Sequence, residues 1–463
     1  MTIQSAPACD TASMQIARFS AAFDSAQLST AAQRSVGRAI IDTVGIALAA
    51  AGDPTSATAW RYVRAEAAAP AARAWTHPES ASLAGAAFYN GVAAHVLDFD
   101  DVSSPLRGHP SVVMLPALLA LGQARDLPGR RLVAAYAVGL EVMVKIARAM
   151  VSDHYARGWH ATTTIGVLGA AAACSHLLGL SAGQTAHAIG LAFAQSSGSR
   201  ASFGTMAKSF QTGHCNASAL RAALLAEAGM DAAPDALDGP QGFTALYGNG
   251  ESLAGELATL GREPLELLAS GLEIKKYPMC YAAHRAIDGM LDLRREHALQ
   301  PGQIEAIHVE SNYRAMVPLI HPRPQTGLEA KFSMPYAMAA AALDGQVRLA
   351  SFTDAAVQRP AVRALMEHVT THEAQGPAAP RWNIVRVALR DGTTVQKEVR
   401  VLRGSHQSPL SDTELADKWA DCLDFGGYRD PQNQFFDSAM EIASGSTAAL
   451  MALLPRRAAG GID

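Results

Sequence analysis

From about residue 15 to residue 270, apolar residues recur at the three- and four-residue spacing of an α-helix. STAAQRSVGRAIIDTVGIALAAAG, for example, places Val36, Ile40 and Val44 four residues apart. Ser29, which precedes them, is a typical helix N-cap. Other segments, such as TTTIGVLGAAAACSHLLGL, are apolar on nearly every face, as helices inside a large core are. We therefore predict an all-helical domain over residues 1–270.

The pattern changes after about residue 273. IEAIHVES, at 304–311, and RWNIVRVALRDGTTVQKEVRV, at 381–401, are rich in β-branched residues. The dipeptide Asp391-Gly392 in the second segment predicts a hairpin turn. GLEAKFSMPYAMAAAALDGQV, between these segments, has a helical pattern again. We therefore predict a smaller α+β domain over residues 273–404.

The chain after residue 405 predicts a return to helix. In SDTELADKWADCLDF, Ser411 and Glu414 have the spacing of a capping box. Glu414 and Lys418 have the spacing of a helical ion pair. We expect residues 405–463 to pack on the first domain and complete it, so the predicted fold class is mainly α.

Composition supports two domains and excludes several partners. The 463 residues are 49% hydrophobic and 17% charged, which is sufficient for a large core. The net charge is −4 and the basic residues are scattered, so we expect no nucleic-acid partner. The N-terminal segment MTIQSAPACDTASMQ has neither a cationic start nor an apolar stretch typical of a secretory signal. The longest apolar stretches contain His, Ser or Gly, which favours buried helices over membrane spans.

The cysteines indicate a reducing compartment. They are odd in number and far apart in the chain: Cys9, Cys174, Cys215, Cys280 and Cys422. This spacing disfavours a disulfide framework and a structural zinc site. Together with the missing signal sequence, it predicts a cytoplasmic protein.

The most unusual polar segment is HVLDFDDVSSPLRGHPSVVMLP at residues 95–116. It contains three aspartates, Asp98, Asp100 and Asp101, in what reads as a helix ending near Phe99. Acidic residues at a helix C-terminus are electrostatically unfavourable. The aspartates could be solvated or cap the next helix, or one could serve proton transfer or orient His109. A Mg²⁺ site is a third hypothesis, but Ser104 stands where the D-D-x-x-D spacing needs its last aspartate.

Three further polar residues stand in apolar segments. His160, in GWHATTTIGVLGAAAA, precedes a predicted helix N-terminus, which favours anions. Lys208, in FGTMAKSFQTGHCNAS, has apolar neighbours, and Lys275 precedes YPMCYAAH. A structural histidine and lysines with buried stems explain these positions too. Taken together, the residues would suit an anionic substrate.

Several common catalytic motifs are absent from the sequence. It contains no G-x-G-x-x-G, Walker loop or H-E-x-x-H pattern, and no iron–sulfur cysteine spacing. We therefore expect the chemistry to use side chains alone, with no metal and no organic cofactor.

Five segments, taken in order, resemble the signature stretches of the MmgE/PrpD family. They are LAGAAFYNGVAAHVLDFDD…HPS…LPALLALG, GWHATTTIGVLGAAAACSHLLGL, QSSGSRASFGTMAKSFQTGHCNASALRAALLA, EIKKYPMC and TGLEAKFSMPYAMAAAAL. The resemblance covers residues 15–440. The family includes 2-methylcitrate dehydratase, cis-aconitate decarboxylase and iminodisuccinate epimerase, which act on small di- or tricarboxylates without metal or organic cofactor. It implies a helical domain, an α+β lid domain, a site in the cleft and a homodimer.

The resemblance also implies which residues form the site. The catalytic candidates are Asp98, His109, His160, Lys208 and Lys275, and the additional substrate-binding candidates are Arg107, Cys280 and Tyr336. Lys208 and Lys275 would bind carboxylates and stabilise an enediolate-like intermediate. His160 or His109 would move protons, and Asp98 would orient His109. Asp100 and Asp101 are expected to hold the loop.

The sequence departs from the family pattern at three places. Val102 stands where decarboxylase-like and dehydratase-like members tend to have threonine, and SSPLRG lengthens the link to His109. Cys280 replaces a histidine of the decarboxylase members. These differences argue against cis-aconitate decarboxylase. Arg107 could bind a carboxylate through its guanidinium, or it could be an exposed loop residue.

The predicted function is that of a cofactor-independent lyase, most plausibly a dehydratase, that removes an α-proton from a small hydroxy di- or tricarboxylate. The predicted reaction resembles that of 2-methylcitrate dehydratase. Alternatives are an epimerase of an α-substituted dicarboxylate, a cis-aconitate decarboxylase-like enzyme, and a non-catalytic helical binding protein. An epimerase would need the same base and a proton donor on the opposite face of the substrate.

Overall fold

The computed structural model describes residues 10–457, which form two compact units. The first consists of the chain up to Val96, Asp100–Leu272 and the chain from Gly426; the second consists of Leu97–Phe99 and Glu273–Phe425. The mainly α fold class is confirmed. No disulfide joins the cysteines between residues 10 and 457, and Cys9 lies outside that range.

The first unit is helical, with two short two-stranded ribbons, Ala72–Arg73 with Ser80–Ala81 and Tyr428–Arg429 with Arg456–Arg457. Its α-helices are Ala12–Ala22, Thr30–Ala49, Pro54–Ala65, Leu83–Ala93, Leu115–Ala124, Gly129–Ala156, Ala161–Thr164, Gly166–Leu178, Ala182–Phe193, Met206–Glu227, Phe243–Tyr247, Ala254–Leu257, Glu266–Ala269, Gln434–Met440 and Thr447–Ala452. The predicted Ser29 cap is confirmed, because its hydroxyl accepts the Ala32 N–H.

Two stretches of the first unit are apolar and long enough to cross a membrane by composition, Thr30–Gly52 and Ala161–Leu178. Of their most apolar windows, 78% and 89% are buried within the structure, as expected for core helices.

A close helix crossing sets the geometry around the candidate site. Gly91, on helix Leu83–Ala93, and Gly213, on helix Met206–Glu227, lie at the crossing. A Cβ at Gly213 would approach the Phe88 carbonyl oxygen to 2.5 Å, and one at Gly91 would approach the Asn216 amide to 2.6 Å. Only glycine permits this approach, so the crossing fixes the distance between the two helices.

The second unit is α+β. Its helices are His284–Glu296, Gly327–Ala330, Met334–Asp344, Asp354–Val357, Pro360–Met366 and Asp412–Gly426. Its four-stranded sheet has the order Val369–Glu373, Ile304–Ser311, Asn383–Leu389, Thr394–Val399, in which the first pair is parallel and the others antiparallel. The predicted hairpin at Asp391-Gly392 is confirmed, since it joins the last two strands. Whether this unit acts as a lid stays a prediction.

The predicted role of the segment after residue 405 is corrected. The return to the first unit begins at Gly426, and residues 405–425 belong to the second unit. The capping box is present, with hydrogen bonds in both directions between Ser411 and Glu414. Glu414, however, pairs with Lys276. Lys418, which is only 6% exposed, points inward and donates to backbone carbonyls.

Candidate active site

The aspartate segment lies beyond a helix end, not within it. Helix Leu83–Ala93 stops at Ala93, so the prediction that it extends to near Phe99 is wrong. The backbone of Asp98 is left-handed, with φ of 53°. The aspartates therefore avoid the unfavourable helix C-terminus, and their side chains are directed by individual hydrogen bonds.

Asp100 joins two histidines at the centre of the first unit. Its Oδ2 atom accepts from His95 Nδ1 at 2.8 Å and lies 3.2 Å from His109 Nδ1. Burial raises the pKa of the fully buried Asp100 carboxyl, but the charges of His109 and His95 outweigh burial and lower it well below its usual value. The sequence assigned the orientation of His109 to Asp98, and the structure corrects this, because the Asp100 carboxylate occupies that position.

His160 is held in one tautomer by Gln211. The Gln211 amide nitrogen donates to the Ser199 carbonyl at 3.0 Å, which directs its Oε1 atom toward His160 Nδ1 at 2.7 Å. His160 Nδ1 must then carry the proton, and Nε2 holds the lone pair. Burial, followed by the charges of His95 and Lys208, lowers the pKa of His160 well below its usual value. His160 is therefore a neutral base near neutral pH.

Lys208 and His95 complete this cluster. The ring of His95 stacks 6.2 Å from that of His160 and lies 4.9 Å from that of His109. Burial lowers the pKa of His95 to about 4, against the opposing charge of Asp100. The Lys208 ammonium, half-buried, lowers the pKa of both His95 and His160 and lies 5.6 Å from the Phe203 ring centre. We call His95, Asp100, His109, His160, Lys208 and Gln211 the histidine cluster.

The other two catalytic candidates, Asp98 and Lys275, lie in the second unit. The Lys275 ammonium is 2.7 Å from the Asp98 carbonyl oxygen and 3.2 Å from its Oδ2 atom. Lys275 is only 2% exposed, so it is not a surface lysine. The two residues form a buried ion pair.

The remaining candidates have different environments. Arg107 is exposed at a left-handed position and lies 3.4 Å from the Ser152 hydroxyl; its loop is closed by the Ser103 N–H, which donates to the Gly108 carbonyl at 2.9 Å. Cys280 is half-buried in the second unit. Tyr336 is fully buried there and its hydroxyl donates to the Ser351 carbonyl. This location corrects its assignment, because Tyr336 is a core residue.

Sequence reasoning missed His95, Gln211 and the role of Asp100. Gln211 had a usable signal, because it follows Lys208 by three residues and so lies on the same helix face. His95 and Asp100 had none, since the turn between them follows no regular period.

The histidine cluster includes a set of potential metal ligands. One ligand atom each from His95, Asp100 and His109 lies within 4.8 Å of the others. In the described arrangement both Nδ1 atoms face the same carboxylate oxygen, so the three groups are linked by hydrogen bonds. Function without a metal stays a prediction.

A buried acid network lies next to the cluster. The Asp101 carbonyl accepts from His109 Nδ1 at 2.9 Å, and its carboxylate accepts from the Ser111 hydroxyl. The Asp42 carboxylate accepts the Asp101 N–H at 3.1 Å. Burial, followed by the charge of Asp42, raises the pKa of Asp101 to about 8. Folded Asp101 is therefore protonated at neutral pH, unlike the same residue in the unfolded chain.

We expect Asp101→Asn to flatten the pH dependence of stability. A raised pKa in the folded state stabilises the protein fully at low pH, and this contribution is lost as pH rises from about 4 to about 8. The slope cannot exceed about 1.4 kcal/mol per pH unit. The free energy of unfolding of both proteins is measured with urea at pH 5 and pH 8. The change between the two pH values in the wild type, minus the same change in the variant, gives the contribution of Asp101. Equal pH dependence in wild type and variant would contradict the assignment.

Comparisons with known proteins agree with this description. The family models of the MmgE/PrpD N-terminal domain and the MmgE/PrpD C-terminal domain match residues 14–256 and 277–439. The chain is 28% identical to the cis-aconitate decarboxylases of Mus musculus and Homo sapiens, over 82% of this chain and 80% and 81% of theirs. It is 25% identical to a cis-aconitate decarboxylase of Aspergillus terreus, over 72% of this chain and 73% of the relative.

Proposed function

Since this chain belongs to the MmgE/PrpD family, which supports a lyase-type activity on a carboxylate, we propose that it removes an α-proton from a small hydroxy di- or tricarboxylate and expels water. The proposed reaction resembles that of 2-methylcitrate dehydratase. One observation carries the proposal: the cluster contains a histidine held neutral and a second histidine held against a carboxylate.

His160 is the proposed base. Its Nδ1–H is committed to Gln211, so the Nε2 lone pair is the atom that accepts the α-proton. The lowered pKa of His160 keeps this lone pair available at neutral pH. An α-proton is weakly acidic, so the electron pair left on carbon must be stabilised as an enediolate-like carboxylate.

His109 is the proposed acid. The Asp100 carboxylate, 3.2 Å from His109 Nδ1, orients this imidazole for the proposed role. His109 then donates a proton to the departing hydroxyl, the carbon–oxygen bond breaks, and the electron pair forms the carbon–carbon double bond. Water leaves, His160 retains the α-proton, and proton exchange with solvent restores both residues.

Lys208 is the proposed electrostatic partner of the substrate. Its ammonium acts on both His95 and His160, so it stands close enough to attract a carboxylate to the base. The same positive charge stabilises the enediolate-like intermediate. A carboxylate-binding role for Lys275 is proposed from the family resemblance and from its burial.

Decarboxylation is the second candidate, because the relatives named above are cis-aconitate decarboxylases. That reaction expels CO₂ and then protonates the carbanion, so it needs an acid but no base. The neutral, tautomer-fixed His160 favours dehydration over decarboxylation. Val102 and Cys280, which depart from the decarboxylase pattern, argue in the same direction.

The experiment is proton NMR of the purified protein in D₂O with citrate-, malate- and iminodisuccinate-like acids. Loss of water with a new vinyl signal supports dehydration, and CO₂ release supports decarboxylation. Deuterium gain at the α-carbon with an intact skeleton would identify an epimerase. Absence of exchange with every acid between pH 6 and pH 9 would favour the non-catalytic binding protein and overturn the proposal.

We further propose that the protein acts in the cytoplasm as a homodimer, without metal or organic cofactor. The family resemblance supports the dimer and the independence of cofactors. The wide spacing of the cysteines supports the location.

A further inference from the structure

Three buried lysines of the second unit meet at the turn Leu97–Phe99. Each donates to a different, consecutive backbone carbonyl: Lys331 to Leu97, Lys275 to Asp98 at 2.7 Å, and Lys418 to Phe99 at 2.9 Å. Their exposed fractions are 6%, 2% and 6%. We call these residues the lysine clamp. The sequence pattern did not single out Lys331, and it predicted Glu414 as the partner of Lys418.

The turn held by the clamp contains an unfavourable backbone conformation. Asp98 has φ of 53°, a left-handed geometry that residues with a side chain adopt less readily than glycine. Left to itself, the turn would favour right-handed conformations, and these would move the Asp98 carboxylate. In the observed conformation Lys275 donates hydrogen bonds to both the carbonyl and the carboxylate of Asp98.

Lys418 connects the two partners of this ion pair. Besides the Phe99 carbonyl, its ammonium donates to the Lys275 carbonyl at 2.8 Å and lies 3.7 Å from the centre of the Phe99 ring. A single side chain thereby fixes the backbone that carries Lys275 relative to the turn that carries Asp98. Burying an ammonium is unfavourable unless it is hydrogen-bonded, so a neutral donor would hold a merely structural turn at a lower free-energy cost.

The clamp also creates a positive electrostatic environment. Next to the clamp, burial and then the charge of Lys275 lower the pKa of His284 to about 3. Lys418 acts in the same direction, and the charge of Asp98 opposes it. An environment of this sign favours an anion.

We propose that Lys331 and Lys418 are positioning residues, which hold the turn Leu97–Phe99 in the conformation that pairs Asp98 with Lys275. Their effect on turnover rests on the function proposed above, in which Lys275 binds a carboxylate. Removing either ammonium leaves one carbonyl of the turn without its donor, so the turn samples other conformations and the pair is misplaced for part of the time.

The test compares Lys331→Met and Lys418→Met with Lys397→Met, a matched control on the same unit whose ammonium pairs with Glu296 on the surface. Hydrogen–deuterium exchange of the peptide spanning residues 95–101 is expected to rise in the two clamp variants and to stay unchanged in the control. With an acid that the wild-type protein converts, kcat is expected to fall about tenfold in each clamp variant.

A double-mutant cycle with Asp98→Asn separates positioning from general stability. If the lysines act through Asp98, their effect on kcat largely disappears in the Asp98→Asn background. Lys418→Arg, which keeps the charge and donors, is expected to recover part of kcat. If Lys418→Met does not fold, the cycle with Lys331→Met decides.

Unchanged exchange in the clamp variants, or additive effects in the cycle, would overturn the inference. The two proposals fail separately. A wild-type protein that turns over no acid would refute the function, while faster exchange confined to the clamp variants would still support the positioning of the turn.

Discussion

Replacing His160 with alanine is expected to lower kcat about 10²-fold or more, because the variant loses the proposed base for the α-proton. The α-proton exchange seen by NMR in D₂O should slow by the same factor. KM should change less, since Lys208, the proposed carboxylate partner in the histidine cluster, is retained.

The control for this variant is His297→Ala, at an exposed histidine in the second unit. Thermal unfolding of both variants separates catalysis from folding, because His160 is buried at 2% exposure. A His160→Ala protein that loses stability but exchanges the α-proton at the wild-type rate would make His160 a structural residue. Gln211→Leu should lower kcat in the same direction, because it removes the acceptor that fixes the His160 tautomer.

Asp100→Asn is expected to lower kcat by about 10²- to 10⁴-fold, although it preserves the shape of the side chain. The carboxylate faces the Nδ1 atoms of both His95 and His109, and an amide cannot accept from both and also supply their negative charge. The negative charge that faces both histidines would be lost.

The matched control is Asp126→Asn, at an exposed position of the first unit where φ is 47° and asparagine is well tolerated. Activity of the two variants with the same acid, at several pH values, is the measurement. Asp100→Asn activity within twofold of wild type would show that the carboxylate is not needed, and the assignment of His109 as acid would be wrong.

Regular periodicity explains what the sequence could predict of the fold. The Ser29 cap, the strand Ile304–Ser311 and the Asp391-Gly392 hairpin depend on residues near one another in the chain, so local patterns predicted them correctly. The orientation of Lys418 depends on carbonyls more than 140 residues away, and a helical spacing rule therefore assigned it the wrong partner.

The site residues also divide into those that could be predicted from the sequence and those that could not. The family resemblance located His109, His160 and Lys208, which the structure brings into one cluster. The sequence assigned the orientation of His109 to Asp98, whereas Asp100 contacts it. Both aspartates belong to a segment with a left-handed residue, where neighbouring side chains point in very different directions. No sequence period describes such a turn, so only the three-dimensional structure could assign the two carboxylates.

The closed loop between Ser103 and Gly108 offers a route to altered substrates by protein engineering. Its two ends are joined by a backbone hydrogen bond, and a Cβ on Gly108 would lie 2.6 Å from the Thr162 hydroxyl, so the base of the loop is anchored. Residues grafted between Ser104 and Arg107 would change the loop's length and charge while leaving the anchor and the neighbouring His109 in place. Libraries of loop variants are therefore a practical starting point for selecting proteins that act on other acids.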